Sequence, residues 1–195
     1  MLKLKSLNLK QLKKKEIIKI CNLKNTHWKF GLKSNLKWFR KNIKKKDIHN
    51  LLYKNEDLIG YTLLRKRLAL LKGNKIKKIH YLYFDTLIIK DKFRKFGYSK
   101  ALMNFNKKII KKEKLHAFLI CYNNLIKYYK KFGWTKIQNK SFKVMDFKFF
   151  TNGMTFNLKL NLKKIQIQYY FFKQLKLNFN YFLSIFNLNN TNISN

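Results

Sequence analysis

Proline is absent from this 195-residue sequence, and glycine (six) and cysteine (two) are scarce. So few of both turn-formers exclude collagen-like chains and Pro/Gly-rich disordered segments. Cys21 and Cys121 are too few for a disulfide scaffold or a zinc site, and they read as small core residues. Acids are sparse too: 8 Asp+Glu stand against 46 Lys+Arg, a formal net charge of +38. No apolar run approaches the ~18–20 residues of a membrane span. The opening stretch MLKLKSLNLKQLKKK lacks the continuous apolar segment of a secretory leader. These absences lead us to expect a soluble, cytoplasmic protein with no membrane partner.

What is present can build a core. Hydrophobic residues make up 46% and aromatic residues 16% of the chain, which offsets the tendency of high charge toward disorder. The saturation in Lys, Asn, Ile, Leu, Phe and Tyr matches an A/T-biased coding sequence. A field of +38 attracts polyanions whatever selected it, so nonspecific polyanion binding is expected from charge alone. The lysine runs Lys13–Lys15, Lys44–Lys46 and Lys111–Lys112 are dispersed rather than gathered into one stripe, and no nucleic-acid motif accompanies them. Against such a bias the few acids, arginines and glycines carry the most information.

Periodicity predicts a helix over Leu9–Leu23 and a second one starting after an N-cap-like Ser34. Asp47–Tyr53 and Leu58–Lys66 read as a hairpin about Lys54–Asp57, with Gly60 marking a bulge or a close backbone approach. After a turn at Lys72–Asn74, the run IHYLYFDTLIIK (Ile79–Lys90) is the strongest strand. A basic loop follows, then a helix carrying Leu102, Phe105, Ile109 and Ile110. The buried-looking strand His116–Tyr122 comes next, then a helix from Asn123–Asn124 that ends at Gly133. Trp134–Ile137 and Phe142–Phe149 are expected to close the sheet as an antiparallel pair. One domain over residues 1–157 and an extension over 158–195 are expected. In that extension Leu158 to about Phe172 is expected to be strand-like and ordered, and the last ~10 residues to be mobile.

The loop Arg94-Lys95-Phe96-Gly97-Tyr98-Ser99 opens a helix at the end of a strand, where unpaired N–H groups and a glycine can accept a diphosphate. On the residues alone an ordinary basic turn stays equally open. The order Arg94-x-x-Gly97-x-Ser99, and thirty residues later Tyr129-x-x-x-Gly133-Trp134, resembles the acyl-CoA and Tyr-x-x-x-Gly-Phe motifs of the GNAT superfamily of N-acetyltransferases. Ser99 departs from that family's Gly or Ala, and Trp134 from its Phe. Its asparagine is displaced by one residue, to Asn123.

The resemblance implies a central mixed, largely antiparallel sheet with splayed middle strands and flanking helices, an α/β (α+β mixed) fold. It implies acetyl-CoA as acyl donor and no metal. The cofactor would be held by the backbone of Leu87, Ile88 and Ile89 and by Arg94, Lys95, Phe96, Gly97, Tyr98 and Ser99, with Asn123 nearby. Tyr129 would protonate the departing thiolate, unless it is only a core tyrosine. Asp85 lies alone inside the most apolar strand, sharing a face with Tyr83 and Leu87 by alternation. It could take the amine proton directly or through water, bind an ammonium, or serve as a structural ion pair. His80 and His116 are expected at the far end of the cleft. Trp28, Trp38 and Phe39 could line an acceptor pocket or be core. Asp47-x-His49 is a poor metal pair.

The activity implied is transfer of acetyl from acetyl-CoA to a primary amine by direct attack in a ternary complex. The acceptor belongs to a small molecule or to a protein, with the small molecule preferred, and the enzyme is expected as a monomer or homodimer. The alternatives are a basic nucleic-acid- or ribosome-associated binding protein on the same scaffold, and an acyltransferase using a longer acyl-CoA.

Overall fold

A computed structural model describes residues 1–72, 76–137, 142–143, 152–157 and 166–169; residues 69–72, 76–78, 142–143 and 166–169 are considered as backbone only. The chain runs β1 (Leu2–Asn8), α1 (Lys14–His27), α2 (Leu32–Asn42), β2 (Ile48–Lys54), β3 (Asp57–Lys72) and β4 (Ile76–Ile89). A 3-10 turn (Asp91–Phe93) leads to α3 (Tyr98–Lys112) and β5 (His116–Cys121). A second 3-10 turn (Asn123–Leu125) precedes α4 (Ile126–Lys130), β6 (Thr135–Lys136), β7 (Phe142–Lys143), β8 (Asn152–Phe156) and β9 (Gln166–Tyr169). The strands order as β1-β2-β3-β4-β5-β8-β6, with β9 and β7 attached at β3. Among the described residues only β4–β5 and β7–β9 pair in parallel. The expected mixed, largely antiparallel α/β sheet flanked by helices is therefore present.

Apolar residues on both faces of the sheet give it two main cores. On one face Leu64, Leu82 and Phe84 pack with Met103 and Ile110 of α3 and with Tyr129 and Phe132 of α4 and its end. On the other, Leu51, Tyr61, Leu63 and Ile88 pack with Ile20 and Leu23 of α1 and Phe39 of α2. Gly60 shows why α3 can sit so close. A Cβ there would lie 2.8 Å from Ile89 Cδ1, 3.3 Å from Leu52 Cβ and 3.4 Å from Leu102 Cδ2. It also faces a bulge: Leu52 pairs with Gly60 but Tyr53 with Leu58, leaving Ile59 over. Beneath α3, Asn106 Oδ1 accepts from Asn50 Nδ2 (2.8 Å) and Thr62 Oγ1 (2.9 Å), which ties the helix to β2 and β3.

Several expectations are corrected. The opening residues form β1, paired along its length with β2 (Leu2↔Lys54 to Asn8↔Ile48), although every other residue there up to Lys5 is lysine. An edge strand tolerates such lysines because one side faces water. Helix α1 consequently starts at Lys14 and reaches His27, and Ser34 lies inside α2, whose N-cap is Gly31 at φ 81°. Strand β6 pairs with β8 rather than with 142–149, and Phe142–Lys143 pairs in parallel with β9. Residues 144–149 and the turn residues 73–75 lie outside the described residues. Of the stretch expected to be ordered beyond residue 157, only 166–169 is described, as β9 antiparallel to Ala69–Lys72.

Candidate active site

The parallel pairing of β4 with β5 covers only Tyr81–Tyr83 against His116–Phe118. Beyond it β4 continues to Ile89 against β3, through Leu87↔Thr62, Ile88↔Tyr61 and Ile89↔Gly60, while β5 continues against β8 to Cys121. The two strands part, and one edge of β4 is left without a strand partner among the described residues. An extended ligand can add there as a strand would. His80 and His116 stand at the paired end, opposite the opening, and His116 Nδ1 is 2.8 Å from the Asn157 carbonyl.

Strand β4 bulges where the opening begins. Leu64 pairs with Phe84 but Leu63 with Thr86, so Asp85 is the extra residue. The bulge corrects the expected alternation: Phe84 and Leu87, three apart, both pack on the α3/α4 core, and Leu87 does not share a face with Asp85. Asp85 Oδ2 is 3.0 Å from Arg65 Nη1, and Arg65 Nη2 donates to the Asn42 carbonyl at 3.2 Å. The carboxylate thus sits on the α1/α2 side, clamped at one oxygen.

At the end of β4 the loop turns through two left-handed residues, Lys95 (φ 69°) and Gly97 (φ 76°), before α3 begins. No side chain caps α3, and its first return bond runs from Ala101 N to Gly97 O at 3.2 Å. The N–H groups of Tyr98, Ser99 and Lys100 therefore have no intrahelical partner, an arrangement that, next to left-handed turns, suits an anion. A Cβ on Gly97 would meet no atom within 4 Å, so internal packing does not require the glycine. Its φ and the open space before it do suit a ligand pressed against the backbone. Arg94 is tied back rather than free: Nη2 lies 2.7 Å from Asp91, Nε donates to the Ile89 carbonyl (3.3 Å), and Nη2 approaches His27 Nδ1 of α1 (3.5 Å).

Tyr129 comes from α4 and is buried against β4. Its ring meets Phe84 of β4 edge-on at 6.2 Å, Trp134 at 6.3 Å and Tyr128 at 5.3 Å. Burial pushes its phenol well above the ordinary tyrosine range, so it holds its proton at neutral pH. Trp134 joins this core, which Gly133 makes possible by turning the chain at φ 86°. Tyr128 aims a buried hydroxyl toward Ser99 at the start of α3. Asn123 is exposed, and its Oδ1 accepts from Asn152 Nδ2 at 2.7 Å, so that end of the amide is bound to β8.

Residues missed by sequence reasoning complete the α1/α2 wall. Lys24 is 4% exposed, with Nζ 3.5 Å from the Trp38 ring centroid and 5.5 Å from that of Trp28. The Arg65 guanidinium also lies over Trp38, at 5.8 Å. Burial above all pushes the Lys24 ammonium down to about 8, with the Asp85 charge opposing it. Trp28 and Trp38 are half-buried while Phe39 is core. The other suspected pair separates: Asp47 binds Arg67 (2.6 Å) and the Lys44 and Lys66 amides (2.9 and 3.1 Å), and His49 Nδ1 meets Tyr61 Oη (2.8 Å). Among the described residues no group of three or more His, Cys, Asp or Glu could hold a metal. No described helix is long and apolar enough to cross a membrane.

The chain was then compared with known proteins. The model of the acetyltransferase (GNAT) family matches residues 18–134. No curated protein matches in sequence. Among solved structures the fold is similar to Escherichia coli ElaA (16% identity, 80% of this chain and 99% of that one, TM-score 0.58). It is also similar to the Escherichia coli GNAT family N-acetyltransferase YhbS in complex with CoA (10%, 87% and 89%, 0.62). An aminoglycoside 6'-N-acetyltransferase complexed with coenzyme A is a third (10%, 78% and 96%, 0.58).

Proposed function

The chain belongs to the GNAT family of acyl-CoA-dependent N-acetyltransferases, and we propose that it moves acetyl from acetyl-CoA to the primary amine of a small molecule by direct attack in a ternary complex. The observation that carries this reading is the edge of β4 left without a described strand partner beyond Tyr83, which leads through the left-handed turn into the uncapped N-terminus of α3; the contact of Tyr129 with Phe84 of β4 supports it. The donor supplies an activated thioester. Leu87, Ile88 and Ile89 offer the strand edge for its pantetheine arm. The backbone from Arg94 to Ser99 takes its diphosphate, with Lys95 and Phe96 shaping the loop and Asn123 at the cleft's other lip.

The amine nitrogen attacks the thioester carbonyl, and the C–S bond breaks as the N–C bond forms. Tyr129 gives its proton to the sulfur, and the proton that the attacking nitrogen sheds on becoming an amide returns to Tyr129 through water, so CoA leaves as the thiol. The clamp by Arg65 leaves Oδ1 of Asp85 to receive the acceptor's ammonium. We assign Asp85 to binding the ammonium and passing its proton to water.

Calorimetric titration with acetyl-CoA and, separately, a nonspecific oligonucleotide at low and high salt tests the reading. We expect the acetyl-CoA signal to survive salt that abolishes the oligonucleotide signal. Binding of the oligonucleotide alone would favour the basic binding protein instead. A series of longer acyl-CoA donors, turned over faster than acetyl-CoA, would correct the acyl group.

A further inference from the structure

Lys24 is the one described lysine that is both almost wholly buried and free of any carboxylate at ion-pair distance. The nearest acid acting on it, Asp85, already spends Oδ2 on Arg65. This corner therefore holds two cations and one carboxylate, floored by two indoles. A buried cation lacking a counter-ion is costly, and it is relieved either by shedding its proton or by an anion brought from outside.

Position decides between those remedies. The last turn of α1 reaches the diphosphate loop, where His27 meets Arg94 at 3.5 Å. One turn earlier, Lys24 lies against Trp38 of α2 and under the charge of Asp85 in the β4 bulge. The corner thus stands between the donor's loop and the residue assigned to the acceptor's ammonium. It lies on the α1/α2 face, whereas α3 and α4 cover the other. Trp28 and Trp38 are half-buried rather than sealed in the core, so the corner lies near the surface of the α1/α2 face.

On the acyl-transfer reading above, we infer that Lys24 and Arg65, over Trp38 and Trp28, form a subsite for an oxyanion group of the acceptor. The substrate class is then a zwitterionic small amine, one carrying a carboxylate or a phosphate a few bonds from the nitrogen. Its ammonium goes to Asp85 and its anion to Lys24, which converts the unmatched cation into a pair.

Two matched pairs of probes test this on the full chain with saturating acetyl-CoA, following CoA thiol release: phenylalanine against phenethylamine, and phosphoethanolamine against ethanolamine. The acidic member of at least one pair should show a kcat/KM at least tenfold higher than its neutral partner, and which pair it is separates carboxylate from phosphate. Lys24→Met should bring that ratio within threefold of unity, chiefly through KM, and Lys24→Arg should restore part of it. Lys24→Gln serves should the methionine variant fail to fold. A neutral member preferred in both pairs, or a ratio unmoved by Lys24→Met, overturns the subsite. Should none of the four turn over, tryptophan fluorescence decides: quenching by the acidic probes alone, lost in Lys24→Met, supports it, and no such quenching rejects it. Acetyl-CoA affinity, measured beside these, separates the failures. A protein that binds no acetyl-CoA fails the transfer reading, and one that binds it but prefers neutral amines fails only the subsite.

Discussion

The two walls of the cleft are made of different materials. The wall we assign to the donor is backbone: a strand edge without a described partner, two left-handed residues and the bare first turn of a helix, all within Leu87–Ser99. The wall we assign to the acceptor is side chain: Lys24 and Trp28 at the end of α1, Trp38 of α2, Arg65 of β3 and Asp85 of β4 meet only in three dimensions. Backbone groups keep their charge at every pH and tolerate most side-chain changes. Buried ionisable side chains do neither. The same fold can thus keep one cofactor site while its acceptor site varies, and perturbations should fall unequally on the two walls.

Acid should separate the walls most. His49, fully buried behind the acceptor wall with its ring on Tyr61, has its imidazole pushed down to about 4 by burial, then by Lys24, with Asp47 opposing. The unfolded chain protonates this histidine near 6.5, so between pH 6.5 and 4 the unfolded state binds more protons. The stability held above pH 6.5 is then lost as pH falls, by about 3 kcal/mol for the full shift. Urea unfolding at pH 7 and pH 4.5 measures it. His49→Gln should flatten the slope, and an unchanged slope would show that His49 is not the sensor.

Next in size is Tyr129→Phe, which removes a hydroxyl and little volume from the bridge between the walls. We expect kcat to fall ~10²-fold, the lower end for a proton donor, with acetyl-CoA affinity changed less than about threefold. Unchanged kcat would make Tyr129 a core residue that merely stacks on Phe84.

The contrast also explains what the sequence disclosed. Gly97 and its basic loop, Gly133 and the apolar runs of β4 and β5 are local patterns, so the run from β2 to α4 and the loop at the head of α3 could be read residue by residue, whereas β1 and the pairing of the last strands could not. Two kinds of feature could not. The bulge at Asp85 depends on register with Leu63 and Leu64 across the sheet, and it overturned a simple alternation. Lys24 is one lysine among dozens, and only packing against Trp38 singles it out. β1 was missed because its lysines obey edge-strand exposure and hide the hydrophobic signal. Scarcity was a better guide: Arg65, Arg67 and Arg94 each pair with one of the few acids.

Two glycines sharpen the comparison at about tenfold. Gly97→Val meets no protein atom but fills the space before the loop, so the Kd for CoA should rise at least tenfold, ~1.4 kcal/mol, in a folded protein. Gly60→Ala should do the reverse. Its methyl presses Ile89, Leu52 and Leu102, costing roughly 1–3 kcal/mol of stability and moving CoA affinity only through the fold. Calorimetry paired with thermal unfolding distinguishes them. Equal CoA loss in both variants would mean that the loop is a packing element rather than a ligand cradle.

The smallest effect is expected at Arg94, the residue of the loop motif with a long charged side chain. Its guanidinium is about half exposed and already committed to Asp91, with further bonds to the Ile89 carbonyl and His27. An exposed pair of this kind contributes little to stability, and Lys92, Lys95 and Lys100 keep the surrounding field positive. Arg94→Ala should therefore raise the Kd for CoA only about threefold, ~0.7 kcal/mol, and this loss should shrink at high salt as the field is screened. The loss in Gly97→Val, which is steric, should persist at high salt. Measuring both variants at 50 and 500 mM salt sets charge against backbone within one loop. An Arg94→Ala loss that exceeds that of Gly97→Val and resists salt would make the donor wall, like the acceptor wall, a site built of side chains.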